Sequence, residues 1–141
     1  VEDNAYAMMR TADGIVALLH STATEWRHRF RLEVSLELGT IVLSGLLTGS
    51  KSYGAETITV ARKADHDEGD PDEEIQRFDH DPSWADEIAE FAAAVQNDTP
   101  IVEGSSEEAL KTMHLVYRIY CADADWGSRY GLSETLPNIA Q

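Results

Sequence analysis

The alternating run from Arg29 to Gly39 restricts the fold of this chain more than any other segment. Phe30, Leu32 and Val34 alternate there with charged or hydroxyl side chains, which is the period-two pattern of a strand with one buried face. Five other strands are predicted, at 4–10, 15–24, 40–46, 56–62 and 74–78. Helices are predicted only after them, from Ser83 to the residues before Pro100 and from Ser106 to about Asp125. This order predicts an α+β fold, a mostly antiparallel sheet of about six strands with two C-terminal helices packed on one face.

The apolar stripes of the two helices should cover one face of the sheet. The expected contacts join Trp84, Phe91, Met113, Val116 and Tyr120 to Phe30, Leu32, Val34 and Leu36. The segment Ile15–Thr24 is apolar on both faces, which favours a central strand or one whose outer face meets a partner. The sheet face opposite the helices would then be apolar at its centre and charged at its rim, and we expect a homo-oligomer to form through this open face.

Composition limits the classes of partner. The 141 residues fit one domain, 1–141. A formal net charge of −15 disfavours nucleic acid and anionic membranes as partners. Cys121 is the single cysteine, so a reducing cytoplasmic setting is expected. The chain begins at Val1 without a methionine, which we interpret as a domain excised from a longer protein, with a processed terminus as the alternative.

Five residues are candidates for contact with a substrate or a partner. Arg27, Arg29 and Arg31 are predicted to share one face of the third strand, with Trp26 beside them. Such a row of cations serves either cross-strand ion pairs or recognition of an acidic group. His20 is either a pocket residue or a hydrogen-bonded structural histidine.

Two loops resemble ligand-binding loops, but details of their sequences argue against ligand binding. Residues 45–52 superficially resemble a phosphate-binding loop, but Ser50 replaces the second glycine and a strand, not a helix, follows. A glycine-rich hairpin is expected instead. The acidic segment 65–73 is interpreted as a solvated loop, with a weak cation site as the alternative. No catalytic or metal motif is complete in the sequence.

Several short motifs carry a family resemblance in their order and spacing. They are Glu2-Asp3-Asn4-Ala5 through Asp13-Gly14, Arg31-x-Glu33-Val34-x-Leu36-x-x-Gly39, Glu87-x-x-x-Phe91, Asn97-Asp98-Thr99-Pro100 and Glu107-Glu108-Ala109. Together they resemble the C-terminal domain of the Gfo/Idh/MocA oxidoreductases, the glucose-fructose oxidoreductase and inositol dehydrogenase family. Leu36 stands where the family's R-x-E-V-x-G-x-x-G strand has its first glycine.

The resemblance implies what lies outside this chain. Such enzymes bind NAD or NADP in an N-terminal Rossmann domain, which also carries the catalytic lysine of an E-K-P motif. A G-G-x-x-x-D-x-x-x-H segment supplies their acid/base histidine. None of these motifs occurs here, so no catalytic, cofactor-binding or metal residue is assigned. The chain is expected to be the substrate-pocket and oligomerisation domain of such an NAD(P)-dependent sugar or polyol oxidoreductase, inactive without its Rossmann domain. The alternative is a free-standing α+β module that binds a small ligand or a protein on its open sheet face.

Overall fold

A computed structural model describes residues 2–63 and 71–133 of the chain. The strands are β1 (Asn4–Arg10), β2 (Val16–Thr22), β3 (Arg31–Leu36), β4 (Gly39–Ser44), β5 (Glu56–Arg62) and β6 (Glu73–Phe78). The helices are α1 (Ser83–Asn97), α2 (Ser106–Ala122) and α3 (Ala124–Tyr130). The strands therefore precede the helices, and the α+β class predicted from the sequence is confirmed. None of the described helices is long and apolar enough to cross a bilayer.

The six strands form two sheets, not the single sheet that the sequence predicted. β1 pairs with β2, while β3, β4, β5 and β6 follow one another in a four-stranded antiparallel sheet. The interpretation of β2 as a central strand was wrong, since its sheet contains only β1 beside it. Its apolar residues are exposed on both faces, with Leu18 at 76% and Leu19 at 42%. The apolar centre expected beside Arg31 thus belongs to another sheet.

The described residues divide into two compact units. The first contains residues 2–5, 21–63 and 71–88, and the second contains 6–20 and 89–133. The four-stranded sheet lies in the first unit, and α2 and α3 lie in the second.

The register of the four-stranded sheet gives it two chemically different faces. Leu32 pairs with Leu43 and Val34 with Ile41, and these in turn oppose Ile58 and Val60. Because paired residues share a face, one side is aliphatic across β3, β4 and β5. We call this side the apolar face, and its aliphatic residues are Leu32, Val34, Leu36, Ile41, Leu43, Ile58 and Val60. On the same side β6 carries Glu74, Gln76 and Phe78, and β5 has Glu56 and Arg62 at its ends. The polar face consists of Arg31, Glu33, Ser35, Thr40, Val42, Ser44, Thr57, Thr59, Ala61, Glu73, Ile75 and Arg77.

The side chains assigned to a helix–sheet core are not buried. Leu32 is 47% exposed, Leu36 57% and Phe91 54%. No hydrophobic residue among those described is fully buried. The alternating pattern correctly identified which side chains of the sheet share a face. Such a pattern usually marks a buried face, but these side chains are exposed.

The last predicted helix is two helices. Asp123 interrupts it with φ −86° and ψ 107°, and its carboxylate accepts a hydrogen bond from the backbone N–H of Trp126 at 2.9 Å. Asp123 therefore ends α2 and caps α3. Gly127 lies inside α3, and Gly131 ends that helix in the left-handed conformation.

Candidate functional site

One end of the four-stranded sheet gathers three connecting segments. β3 and β5 begin there, and β4 and β6 end there, because neighbouring strands run in opposite directions. We call this the loop end. Its connections are residues 23–30 before β3, 45–55 between β4 and β5, and 79–82 before α1. All three belong to the first unit.

The loop end concentrates positive charge in a chain that has little of it. Five of the eleven Lys and Arg residues of the sequence lie at the loop end: Arg27, Arg29, Arg31, Lys51 and Arg77. Three of these are offset by acidic neighbours. Arg29 lies 3.9 Å from Glu25, Arg31 2.8 Å from Glu33, and Arg77 3.6 Å from Asp79. Since the whole chain has a net charge of −15, this end is markedly less acidic than the rest.

Strand pairing brings two of these arginines into one row. Arg31 pairs with Ser44, Ser44 with Thr57, and Thr57 with Arg77. The row crosses the polar face at its last position before the loops. With strands about 4.8 Å apart, the two arginine backbones are separated by roughly 14 Å. Two hydroxyl side chains, Ser44 and Thr57, lie between them.

The segment before β3 is attached to the 45–55 loop. The backbone N–H of Gly45 donates to the carbonyl of Phe30 at 3.1 Å. The ring of His28 contacts that of Tyr53, with centroids 5.2 Å apart. The cations that precede β3 are therefore held beside the loop that carries Lys51.

The 45–55 loop is fixed by its own contacts. The backbone N–H of Leu47 donates to the Glu56 carboxylate at 2.7 Å. Three hydroxyl groups form a chain, Thr48 to Ser50 at 3.1 Å and Ser50 to Ser52 at 2.7 Å. The loop joins two antiparallel strands, so the glycine-rich hairpin predicted from the sequence is confirmed.

A cleft of 520 Å³ opens between this loop and the end of β6. Its volume falls within the range of small-molecule sites. Its walls combine charged, hydroxyl and apolar groups: Leu46, Leu47, Thr48, Gly49, Lys51, Gly54, Ala55, Arg77, Phe78, Asp79, His80 and Asp81.

Asp81 is held as an ionised wall of the cleft. The Ser83 backbone N–H donates to its carboxylate at 3.0 Å. Hydrogen bonds from the Ser83 side chain and backbone lower the pKa of Asp81 below its ordinary value of 3.8. The carboxylate is charged at neutral pH and is held at the start of α1 by Ser83.

The structure unites four of the five residues singled out in the sequence. Trp26, Arg27, Arg29 and Arg31 all lie at the loop end, and Trp26 is 91% exposed. The prediction that the three arginines share a strand face was wrong for Arg27 and Arg29, which precede β3. The reason is that β4 ends at Ser44, opposite Arg31, and leaves earlier residues without a partner strand.

His20 has a different position. It lies in β2, in the second unit, where its ring stacks on Tyr6 with centroids 4.3 Å apart and an interplanar angle of 13°. The four residues of the loop end belong to the first unit.

Sequence reasoning missed Lys51 and Arg77. Lys51 was considered only as part of a phosphate-loop pattern, and Arg77 is one charge in a short acidic strand. The signal that could have found them is the antiparallel order itself, because it places the start of the third strand and the end of the sixth at the same end of the sheet. The acidic segment 65–70 lies outside the described residues.

No known protein family, curated protein or solved structure matches the chain.

Proposed function

We propose that this chain is the substrate-pocket and oligomerisation domain of a cytoplasmic NAD(P)-dependent sugar or polyol oxidoreductase, inactive without a Rossmann domain. The observation that carries the proposal is the two-faced antiparallel sheet, with its strands before its helices and an exposed apolar face. Of the motifs that resemble the Gfo/Idh/MocA family, Arg31-x-Glu33-Val34-x-Leu36-x-x-Gly39 runs from β3 into the start of β4.

We assign association to the apolar face, which the sequence predicted the helices to cover, and no longer to the opposite face, which carries Arg31 and Glu33. The apolar face has seven aliphatic residues in adjacent rows, and its members in β3 are 39–57% exposed. Those in β4 and β5 are partly buried. A partly exposed aliphatic surface of this kind is typical of a face that another protein surface covers. The substrate contact would come from Trp26, Arg27, Arg29 and Arg31 at the loop end.

Cofactor binding tests the assignment of catalysis to another domain. Titration calorimetry of this chain with NADH and with NADPH should give no binding heat, because the chain lacks the glycine-rich turn that holds the cofactor pyrophosphate. A stoichiometric micromolar site for either cofactor would contradict the proposal. The reading frame upstream of this segment should encode a Rossmann segment that ends in G-G-x-x-x-D-x-x-x-H, and a frame without one would refute the oxidoreductase assignment.

Association is tested with paired substitutions on the two sheet faces. Sedimentation velocity at several protein concentrations should show a dimer that Val34→Asp on the apolar face weakens at least tenfold, since the interface would bury an unpaired carboxylate. Thr59→Asp on the polar face is the matched control and should leave the dimer unchanged. A monomer at every concentration, or equal effects of the two variants, would contradict association through the apolar face.

A second candidate is a free-standing α+β module that binds a small ligand. One observation favours it: all twelve residues of the cleft belong to the first unit, so the cleft needs no second domain to be complete. Ligand binding by this chain, together with an upstream frame that lacks a Rossmann segment, would select this candidate.

A further inference from the structure

We infer that the loop-end cleft binds a small organic acid. Lys51 and Arg77 hold the ligand's carboxylate, and the carboxylates of Asp79 and Asp81, which we call the acidic wall, accept hydrogen bonds from its hydroxyl groups. This inference does not rest on the proposed function, because the cleft is formed by the first unit alone.

The two cationic side chains of the cleft, Lys51 and Arg77, have N–H groups that are available to a ligand. Among the described residues, Lys51 makes no ion pair and its ammonium group has no hydrogen-bond partner. Arg77 approaches Asp79 through Nε, at 3.6 Å, and its two terminal nitrogens point to no described acceptor. A guanidinium and an ammonium group on one cleft match the two oxygens of a carboxylate.

The position of Lys51 is built into the loop. Its backbone adopts the left-handed conformation, with φ 54°, and its N–H donates to the carbonyl of Thr48 at 3.0 Å. The left-handed region costs a non-glycine residue about 1 kcal/mol. The hydrogen-bonded turn therefore fixes the backbone position from which the Lys51 side chain extends.

The acidic wall restricts which charge and which substituents a bound ligand can have. Asp79 and Asp81 line the same cleft as the cations. Two carboxylates repel the two charges that phosphate concentrates on one group more than the single charge on each carboxylate group of a dicarboxylic acid. They also accept hydrogen bonds, as the Thr48 hydroxyl can, so hydroxyl groups on the ligand gain partners. Leu46 and Phe78 provide apolar contact for its carbon frame.

An NMR titration tests the inference on the chain as it stands. L-tartrate, which has two carboxylates and two hydroxyls, is added at constant ionic strength and pH 7 to ¹⁵N-labelled protein. Saturable shifts are expected at the amides of Thr48, Gly49, Lys51 and His80, with a Kd of about 1 mM, as suits a small ligand in an open cleft. Shifts that grow linearly without saturation, or that lie outside the cleft, would overturn the inference.

Variants and ligand analogues make the test specific. Lys51→Met should raise the Kd at least about fivefold, whereas Lys63→Met, which removes the same charge just after β5 and outside the cleft, should leave it unchanged. Equal effects of the two variants would mean a non-specific charge effect and would overturn the site. Amide spectra that superimpose away from residues 45–55 establish that Lys51→Met is folded.

The analogues separate the two halves of the inference. Succinate has the same carboxylates without the hydroxyls and should bind about threefold more weakly than tartrate. Equal affinity would overturn the role assigned to Asp79 and Asp81. Inorganic phosphate should bind more weakly than tartrate, and tighter binding of phosphate would overturn the carboxylate class.

Discussion

Gly45 carries the strictest steric requirement at the loop end. Its φ of 72° lies in the left-handed region, and a Cβ atom at this position would overlap the carbonyl oxygen of Ala55. The two ends of the 45–55 loop can therefore approach only because residue 45 has no side chain. This approach closes the loop whose residues form one wall of the cleft.

Gly45→Ala should destabilise the protein by at least about 2 kcal/mol, because the unfavourable φ and the overlap with backbone add together. Gly49→Ala is the matched control in the same loop. No atom lies within 4 Å of a Cβ there, so its effect should be within about 0.5 kcal/mol. Urea denaturation measures both, and equal stabilities of the two variants would contradict the close approach at Gly45.

Asp81 gives the loop end a dependence on acid pH. Its pKa in the folded chain is lowered by Ser83, so its contribution to stability is present above the ordinary pKa of about 3.9 and is lost as the pH falls through the folded value. Ser83→Ala should raise the pKa of Asp81 towards 3.8, as followed by NMR titration of its carboxyl carbon. An unchanged pKa in this variant would show that the serine hydroxyl does not hold the carboxylate.

At the scale of elements, capping residues explain where the helices begin. The Ser105 hydroxyl accepts a hydrogen bond from the backbone N–H of Glu108 at 3.3 Å, and the Glu108 carboxylate accepts one from the N–H of Gly104 at 3.0 Å. The sequence Ser105-x-x-Glu108 thus forms a capping box whose return bond is moved one residue earlier, to Gly104.

Ser105→Ala should lower the free energy of unfolding by about 1 kcal/mol, since one N–H of the first turn of α2 loses its acceptor. Ser106→Ala changes the neighbouring serine, which is not the cap, and should cost less than about 0.5 kcal/mol. Both are read from urea denaturation monitored by far-ultraviolet circular dichroism. A larger loss for Ser106→Ala than for Ser105→Ala would place the cap elsewhere.

Local patterns predicted the elements well and their pairing less well. β1 and β5 have the predicted bounds, because alternation and turn residues are properties of neighbouring positions. β2 was assigned to the wrong sheet, because pairing depends on residues far along the chain. The same limit applied to the site: the cluster from Trp26 to Arg31 was visible in the sequence, whereas Lys51 and Arg77 join it only through the register of four strands.

At the scale of the whole molecule, charge repulsion is the dominant electrostatic term. The sequence has 26 acidic residues and 11 Lys and Arg. The five ion pairs found among the described residues have side chains at least 44% exposed, and exposed pairs contribute little to stability. Added salt should therefore weaken the repulsion among the acidic residues more than it weakens the attraction within the ion pairs.

The melting temperature should rise as sodium chloride is increased from about 20 to 300 mM, where the Debye length falls from roughly 20 Å to below 8 Å. Differential scanning calorimetry at pH 7 provides the measurement, with sodium sulfate at equal ionic strength to separate screening from salting-out. A melting temperature that falls with added chloride would mean that the exposed ion pairs outweigh the excess of acidic charge.

The strict alternation of the two faces also governs how the length of the chain can change during evolution. One residue inserted into β4 would move Ile41 and Leu43 to the side now held by Thr40 and Val42. Insertions or deletions inside this strand should therefore persist only in pairs. Single-residue length changes should accumulate in the 45–55 connection, outside the paired positions, where they alter the cleft without exchanging the sheet's two sides.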